Sequence, residues 1–541
     1  MRGDPQAGPR LLGRIRGALE RRAKAAWRRV VGGRTAAAEA ALERLKRCVG
    51  RDTGLSPTCG TSAVCPGLTA AAVPTFWNFG ETDLALSFAR RLLAMQRADG
   101  SLPDAGLLHV SLFNTAQAAR AWRTLLQAGE LAEAETALRR ACTFLDSRIQ
   151  FDGALRLPVG GGSFERWASP AAQLAGFAEM IAGAERYRVP SWRTAIARAA
   201  ERACRLDGLD AGDAPLHIAA HGIESMFDLA EVDPRCGRSA SMALEQLAAR
   251  QRPDGSLSAD HVHGWTSAVG LAHIAALWFR AGMTCAGRRA MECLKAHQRA
   301  DGAWPGSWGR GAAYFPNGCS TWTAKYFLDA SLAQVEAAFA TSPNELLAPL
   351  SAEDQRRRAL ERIAAEVVRE RGDRAEVVDV GCGSGRLLAP LLKLFPRIRL
   401  IGVDPSQKLL EHVPQGVEKV VGGLLRLPRG DESCDIACCV EALEHALTPR
   451  RAVDELCRVV RPGGRVVVID KDARFQSLSE VEPWERWFTP ESISGWLAKH
   501  CDRVTCEPLP PGPQQRTTGL FLCWTGVKRR SGRIDSVRRT A

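Results

Sequence analysis

Val378-Asp379-Val380-Gly381-Cys382-Gly383-Ser384-Gly385 decides how the second half of this 541-residue chain folds. Two valines flank an acid, and the run then meets glycines at 381, 383 and 385. The pattern predicts a strand, a tight turn and the start of a helix, with a turn whose backbone can approach a ligand closely. A second run, Leu400-Ile401-Gly402-Val403-Asp404-Pro405, reads as a strand ending in another acid. A carboxylate there can accept from both hydroxyls of a ribose, so the pair reads as a nucleoside site. A dinucleotide fingerprint would need glycine three residues after Gly383, where the chain has Arg386.

The surrounding sequence alternates between two periods. A helix over 353–370 carries Leu360, Ile363, Ala364, Val367 and Val368 on one face. Apolar strands are predicted at 376–380, 399–403, 417–421, 434–440, 464–470, 502–508 and 519–526, with helices at 451–460 and 490–499. Strands alternating with helices predict an α/β, mostly parallel sheet with its ligand at the strand C-termini.

The glycine turn with its preceding acid resembles motif I of class I S-adenosylmethionine methyltransferases. Cys434-Asp435-Ile436-Ala437, Val440-Glu441-Ala442-Leu443-Glu444-His445 and Arg461-Pro462-Gly463-Gly464 extend the resemblance to the methyltransferase type 11 family. It implies a Rossmann-like, seven-stranded domain over 357–527 that uses S-adenosylmethionine as cofactor. The implied cofactor contacts are Asp379, Gly381, Cys382, Gly383, Ser384, Gly385, Asp404, Pro405, Gly423, Leu424, Val440 and Glu441. From the cofactor's charges, backbone donors around Gly381–Gly385 suit its carboxylate, and Asp379 orders the turn or meets its ammonium. Asp404 takes the ribose hydroxyls. His445 is the candidate base, with Glu441 and Glu444 beside it, because the family places the acceptor after strand four. Asp470, Lys471 and Asp472 could face the same acceptor, and Trp484, Trp487 and Phe488 could cover the cleft. One departure stands out: Val421-Gly422-Gly423-Leu424-Leu425 offers no carboxylate for the adenine amino group.

The first half is helical and repetitive. Gln96-Arg97-Ala98-Asp99-Gly100, Gln150-Phe151-Asp152-Gly153, Gln251-Arg252-Pro253-Asp254-Gly255 and Gln298-Arg299-Ala300-Asp301-Gly302 share a signature, with a weaker copy at Asp207-Gly208. The glycines are spaced by 53, 55, 47 and 47 residues, a period that marks a repeat architecture. Each Asp-Gly follows an amphipathic helix and precedes a more apolar one, at 111–127, 169–183, 215–230, 264–281 and 319–338. Five helical hairpins follow, and residues 35–78 could supply a sixth.

These repeats resemble those of the (α/α) toroids of terpenoid cyclases and protein prenyltransferases, a barrel shared with six-hairpin glycosidases. The resemblance implies an all-α toroid over 36–340, a linker at 341–356, and no particular activity. The cyclase motifs Asp-x-Asp-Asp and Asp-Asp-x-x-Asp are absent. No metal site is assigned, although Asp260, His261, His263 and His273 form a histidine cluster. Asn114, Thr115, Gln117, Ser169, Gln173, His217, His221, Glu224, Trp265, Thr266, Thr321, Trp322, Lys325 and Tyr326 begin the apolar helices. They would line one mouth of a toroid, and this mixture suits a sugar or other polyol. Glu81, Asp83, Glu224 and Asp260 are the nearest acids and read as surface or capping residues.

The net charge of +13 is confined to the ends. Residues 1–34 hold ten basic and two acidic residues, and residues 527–541 hold six and one, so the body is balanced and gives no sign of nucleic-acid binding. Leu11, Ile15, Leu19, Trp27 and Val30 give residues 10–31 an apolar stripe among arginines, as in helices lying on anionic membranes. The expectation is a cytoplasmic enzyme, at a membrane face, with a small-molecule, glycan or lipid-linked acceptor. The 17 cysteines, without a CxxC pair, suggest reduced thiols.

Overall fold

The computed structural model describes residues 37–50, 54–58, 64–156, 169–206, 215–260, 262–340, 349–478, 485–510 and 520–530. The basic segment 1–35 and the last eleven residues lie outside these, as do His261 and Trp484.

The N-terminal half is six helical hairpins. An outer helix α1 (37–47) precedes an inner α2 (Pro66–Asn78), and α3 (Thr82–Met95) precedes α4 (Leu112–Gln127). The outer α5 (Ala134–Asp146) is followed by an inner element broken into α6 (Pro170–Gln173) and α7 (Glu179–Arg186). The remaining pairs are α8 (Pro190–Leu206) with α9 (Leu216–Asp228), α10 (Pro234–Ala249) with α11 (Ala268–Arg280), and α12 (Thr284–Ala296) with α13 (Thr321–Ala340). Residues 37–78 thus supply the sixth hairpin.

At Gln96, Gln251 and Gln298 the repeat staples one hairpin to the next. The Gln96 amide donates to Gly100 O at 3.0 Å and to Ala137 O on the next outer helix at 2.9 Å. Gln251 repeats this with Gly255 and Ala286. Asp99, Asp152, Asp254 and Asp301 each accept from the N–H two residues on, which forms the turn. The glycines have positive φ and press on the following outer helix. A Cβ on Gly100 would lie 2.3 Å from Arg140 O, and one on Gly255 2.1 Å from Arg289 O. The last repeat closes the ring: Gln298 donates to Ala37 O, and Gly302 packs on the α1 carbonyl of Ala40.

The C-terminal half opens with α14 (Gln355–Arg371), capped by the Asp354 carboxylate. Seven strands follow: β1 (Glu376–Val380), β2 (Arg399–Asp404), β3 (Glu418–Val421), β4 (Cys434–Val440), β5 (Val460–Lys471), β6 (Cys501–Pro508) and β7 (Phe521–Lys528). They form one sheet in the order β6-β7-β5-β4-β1-β2-β3, parallel except for β7 and its partners. The order reverses beside β1, which places the binding crevice at the C-terminal ends of β1 and β4. Arg461 of the Pro-Gly-Gly segment bonds Asp435 and Glu376 where β4 and β1 begin, so that landmark acts at the far end from the crevice.

The two halves share one apolar core that runs from the inner helices to Leu425, Leu427 and Leu443. At the seam Arg426 stacks 3.5 Å from the Trp77 ring centroid and bonds Glu130 at 3.0 Å, while Arg486 pairs with Glu39. No helix among the described residues is long and apolar enough to cross a membrane. Cys319 is disulfide-bonded, which departs from the expectation of reduced thiols throughout; fifteen other described cysteines form no disulfide. Cys438 and Cys439 are fully buried in β4, as core residues should be.

Candidate functional site

The glycine turn is built on β2. Gly381 N–H donates to Val403 O at 2.8 Å and Cys382 N–H to the same oxygen at 3.2 Å. Gly383 N–H donates to Asp404 Oδ2 at 2.9 Å, and Gly385 N–H to Cys382 O. Gly381, Gly383 and Gly385 all have positive φ. A Cβ on Gly381 would strike Ala442 at 2.4 Å, whereas one on Gly383 would meet nothing within 4 Å. The turn therefore needs glycine at 381 for packing and leaves 383 facing open space. Cys382 and Ser384 are buried, and the Cys382 sulfur sits beneath Gly402. Four of the turn's backbone donors are thus engaged within the protein.

Two acids beside this turn have no cationic partner among the described residues. Asp379 is 2% exposed, it accepts from the Cys438 thiol, and burial raises its carboxyl to about 7. No backbone N–H of the turn donates to it in the described hydrogen bonds. Asp404 is buried and raised by that burial, while the N–H groups of Ser406 and Gly383 pull the other way. An uncompensated buried carboxylate is costly unless a ligand satisfies it. An ammonium at Asp379 and ribose hydroxyls at Asp404 would do so, and the residues present fit S-adenosylmethionine in that respect.

The remaining contacts divide. Val440 ends β4 against the crevice, and Glu441 follows in the left-handed region at φ 51°. Strain of this kind persists where a site needs it. The Glu441 carboxylate is held by Arg356, which also grips Asp354 and lies 4.8 Å from the Phe521 ring centroid. Sequence reasoning missed Arg356; it lies 85 residues from its partner, and no motif marks it. Gly423 and Pro405 are exposed near the ends of β3 and β2. Leu424 is partly buried and packs against the core shared with the helical half.

Beyond β4 and β5, Glu444, His445, Asp470 and Lys471 converge with Glu485. Lys471 Nζ bonds Glu444 Oε1 at 2.8 Å, and Glu444 N–H bonds Asp470 Oδ2 at 3.0 Å. His445 Nε2 lies 3.5 Å from Glu444 Oε1, and its Nδ1 4.0 Å from Glu485 Oε1. Burial, and then Lys471, push His445 down to about 3, so its ring is neutral. Burial and Asp470 drive the Glu444 carboxyl well up, and burial raises Asp470 to about 7. Asp472 points elsewhere, pairing with Arg474. Trp487 and Phe488 are buried, Trp487 beneath Lys471, and pack rather than cover.

In the helical half, several polar residues expected at a mouth are structural. Asn114 bonds Pro103 O, and Thr115 bonds Ser111 O while accepting from Leu102 N–H. Glu81 pairs with Lys46 and Asp260 with His263, as surface or capping roles require. Glu224 does not fit that expectation: it is only 15% exposed and is bonded by Arg120 at 2.7 Å. It lines a cavity of about 360 Å³ with His273, Arg280, Tyr326, Asp329 and Glu336. The cavity reaches Ala337, two residues before Phe339, which touches His445.

Residues 378–468 match the methyltransferase domain family Methyltransf_11. An uncharacterized methyltransferase of Schizosaccharomyces pombe is 33% identical over 110 residues, covering 18% of this chain and 40% of the relative. Malonyl-[acyl-carrier protein] O-methyltransferase of Methylococcus capsulatus is 35% identical over 98 residues, covering 17% and 36%. The chain thus spans well under two thirds of these relatives. A SAM-dependent methyltransferase structure from Thermotoga maritima is 24% identical, covering 32% of this chain and 91% of that one, with a TM-score of 0.26. The matched region of this chain is accordingly a class I methyltransferase domain, and S-adenosylmethionine is its cofactor.

Proposed function

We propose that the whole chain transfers a methyl group from S-adenosylmethionine to a hydroxylated acceptor held by the helical ring. We read that ring as an (α/α) toroid working as the acceptor-binding domain. The observation that carries this reading is the contact of Phe339 with His445, which sets the cavity-lining helix α13 against the candidate base.

The cofactor, when bound, supplies a methyl group on a positively charged sulfur, already activated for transfer. The protein's task is then positioning in line. Asp379 binds the ammonium, Asp404 the ribose, and Arg356, poised on Glu441, answers the carboxylate that the turn's engaged donors leave unserved. His445 takes the acceptor's proton at Nδ1, which has no hydrogen-bond partner among the described residues. A ring pushed down to about 3 is a weak base, and that suffices here. An alcohol proton becomes strongly acidic as its oxygen gains the methyl carbon, and Glu444 and Glu485 then flank the charged ring.

The acids of the cavity and its Arg280 suit a glycan, a glycolipid head or another polyol rather than an apolar terpenoid. No part of this reading calls on nucleic acid. A membrane role for residues 10–31 and a cytoplasmic site of action belong to the same proposal. The test is incubation with methyl-labelled S-adenosylmethionine and a fractionated extract of glycans and lipids. Label in a glycan or lipid fraction, lost in Asp404→Ala, supports it. Label only in protein or nucleic-acid fractions overturns the acceptor class. Absence of cofactor binding by calorimetry overturns the transfer itself.

A further inference from the structure

At the axis of the ring, three side chains from two neighbouring inner helices converge. His221 and Glu224 lie one turn apart on α9, and His273 faces them from α11. His273 Nε2 is 3.2 Å from Glu224 Oε2, and His221 Nδ1 is 3.6 Å from the same oxygen. All three ligand atoms lie within 4.8 Å of one another. Bonds of about 2.0–2.1 Å in a tetrahedral zinc site set ligand atoms roughly 3.3 Å apart, so a cation needs little rearrangement here.

The groups behind the donors orient them. Tyr326 Oη is 3.4 Å from the other nitrogen of His221, and its ring stacks on His273 with centroids 3.9 Å apart. Arg120 grips Glu224 through Oε1 and leaves Oε2 to the rings. Its second arm is neutralised by Asp228, and Lys325 by Asp329, so neither cation is left uncompensated beside the site.

We propose that His221, Glu224 and His273 form a site for one divalent transition-metal ion of the zinc class, with a fourth position open to the cavity. Two imidazoles, one carboxylate and an open position make a donor set of the catalytic rather than the closed structural kind. Glu224 and His273 also line the 360 Å³ cavity, so the open position takes an oxygen donor from whatever molecule enters it. The site lies in the helical half and stands whether or not the methyl-transfer reading holds.

The test is titration of the full-length protein, stripped with chelator and dialysed, with cobalt chloride followed by zinc. The expected result is one equivalent of cobalt with a visible d–d spectrum, displaced by zinc, and no near-ultraviolet thiolate charge-transfer band. Glu224→Gln and His273→Gln should each weaken binding at least about 100-fold with the circular dichroism of the parent. If either variant misfolds, the parent's spectrum still decides. No stoichiometric cobalt spectrum would overturn the site. So would a thiolate band, which would put the metal on Cys204 and Cys236 with Asp233, or unchanged affinity in folded variants. Calorimetry with S-adenosylmethionine separates this outcome from that of the transfer reaction, since cofactor binding should not change in Glu224→Gln.

Discussion

Phe339, at the end of the last inner helix of the ring, meets the His445 imidazole edge-on, with centroids 4.8 Å apart and planes at 81°. The two residues belong to different halves of the chain. One side of the contact continues α13, whose Tyr326, Asp329 and Glu336 line the axial cavity. The other is the loop after β4, where the methyltransferase domain meets its acceptor in the proposed reaction. The aromatic contact adds to the burial of His445, and burial is the chief cause of its low pKa.

Removing that ring should let the histidine titrate. In Phe339→Ala, water reaches His445 and its pKa rises from about 3 toward the ordinary histidine value. An NMR pH titration of the imidazole carbon-bound protons would show it. An unchanged low pKa would mean that Lys471, not the interdomain contact, sets it. Cofactor affinity should stay the same, because Asp379 and Asp404 lie elsewhere on the strand ends.

Asp379 gives a pH dependence with a definite sign. Its carboxyl is raised to about 7, so below that pH it gains a proton and loses its attraction for an ammonium. Cofactor affinity measured by calorimetry should fall about tenfold per pH unit below pH 7. Asp379→Asn should cost about 10- to 100-fold in affinity at pH 8, the range for losing a charged hydrogen bond. The same variant should be the more stable protein at that pH. A raised folded-state pKa is a stability contribution present at low pH and lost as pH rises through 7, and asparagine escapes that loss. The gain is on the order of 2 kcal/mol. A variant that binds normally would remove Asp379 from the cofactor site.

Two glycines of the helical half separate two costs that sequence reading alone merges. Gly129 has φ 76° with nothing within 4 Å of a built Cβ, while Gly100 has φ 91° and a carbonyl 2.3 Å away. Gly129→Ala should cost about 1–2 kcal/mol, the left-handed backbone term alone. Gly100→Ala should cost more, about 3–5 kcal/mol, because the helix carrying Arg140 must also move. Chemical denaturation of the two variants checks the ordering. Equal losses would show that the staple between hairpins gives way easily.

Much of this was legible in the sequence, for reasons that differ by element. The Asp-Gly repeats announced the hairpins because a positive φ and an Asx turn are local demands, written in adjacent residues. The glycine turn and Asp404 were legible for the same reason. What stayed hidden depends on distant partners. Arg356 finds Glu441 across 85 positions. The turn's N–H groups read as ligand donors until Val403 O was seen to occupy two of them. Glu224 looked like a surface acid because its helix carries no mark of facing an axis. The cluster of His221, Glu224 and His273 was split between two repeats, and the histidines at 261 and 263 drew attention away from it.

Arg426 offers a test of how firmly the halves are joined. Its guanidinium lies 3.5 Å from the Trp77 ring centroid and also bonds Glu130, so one side chain ties the loop after β3 to two inner-helix ends. Burial lowers its pKa, against the raising effect of Glu130, yet an arginine stays charged at any working pH. A partly desolvated cation over tryptophan is worth about 1–2 kcal/mol, and the exposed side of the Glu130 pair adds little. Arg426→Ala should therefore weaken the seam without opening either core. Differential scanning calorimetry should resolve one broad or two separate transitions where the parent shows a single one. Lysine at 426 should restore only part of the coupling, because it keeps the charge but loses the flat stacking face. A variant that still melts in one sharp transition would place the joint in the shared core around Leu425 and Leu427 instead.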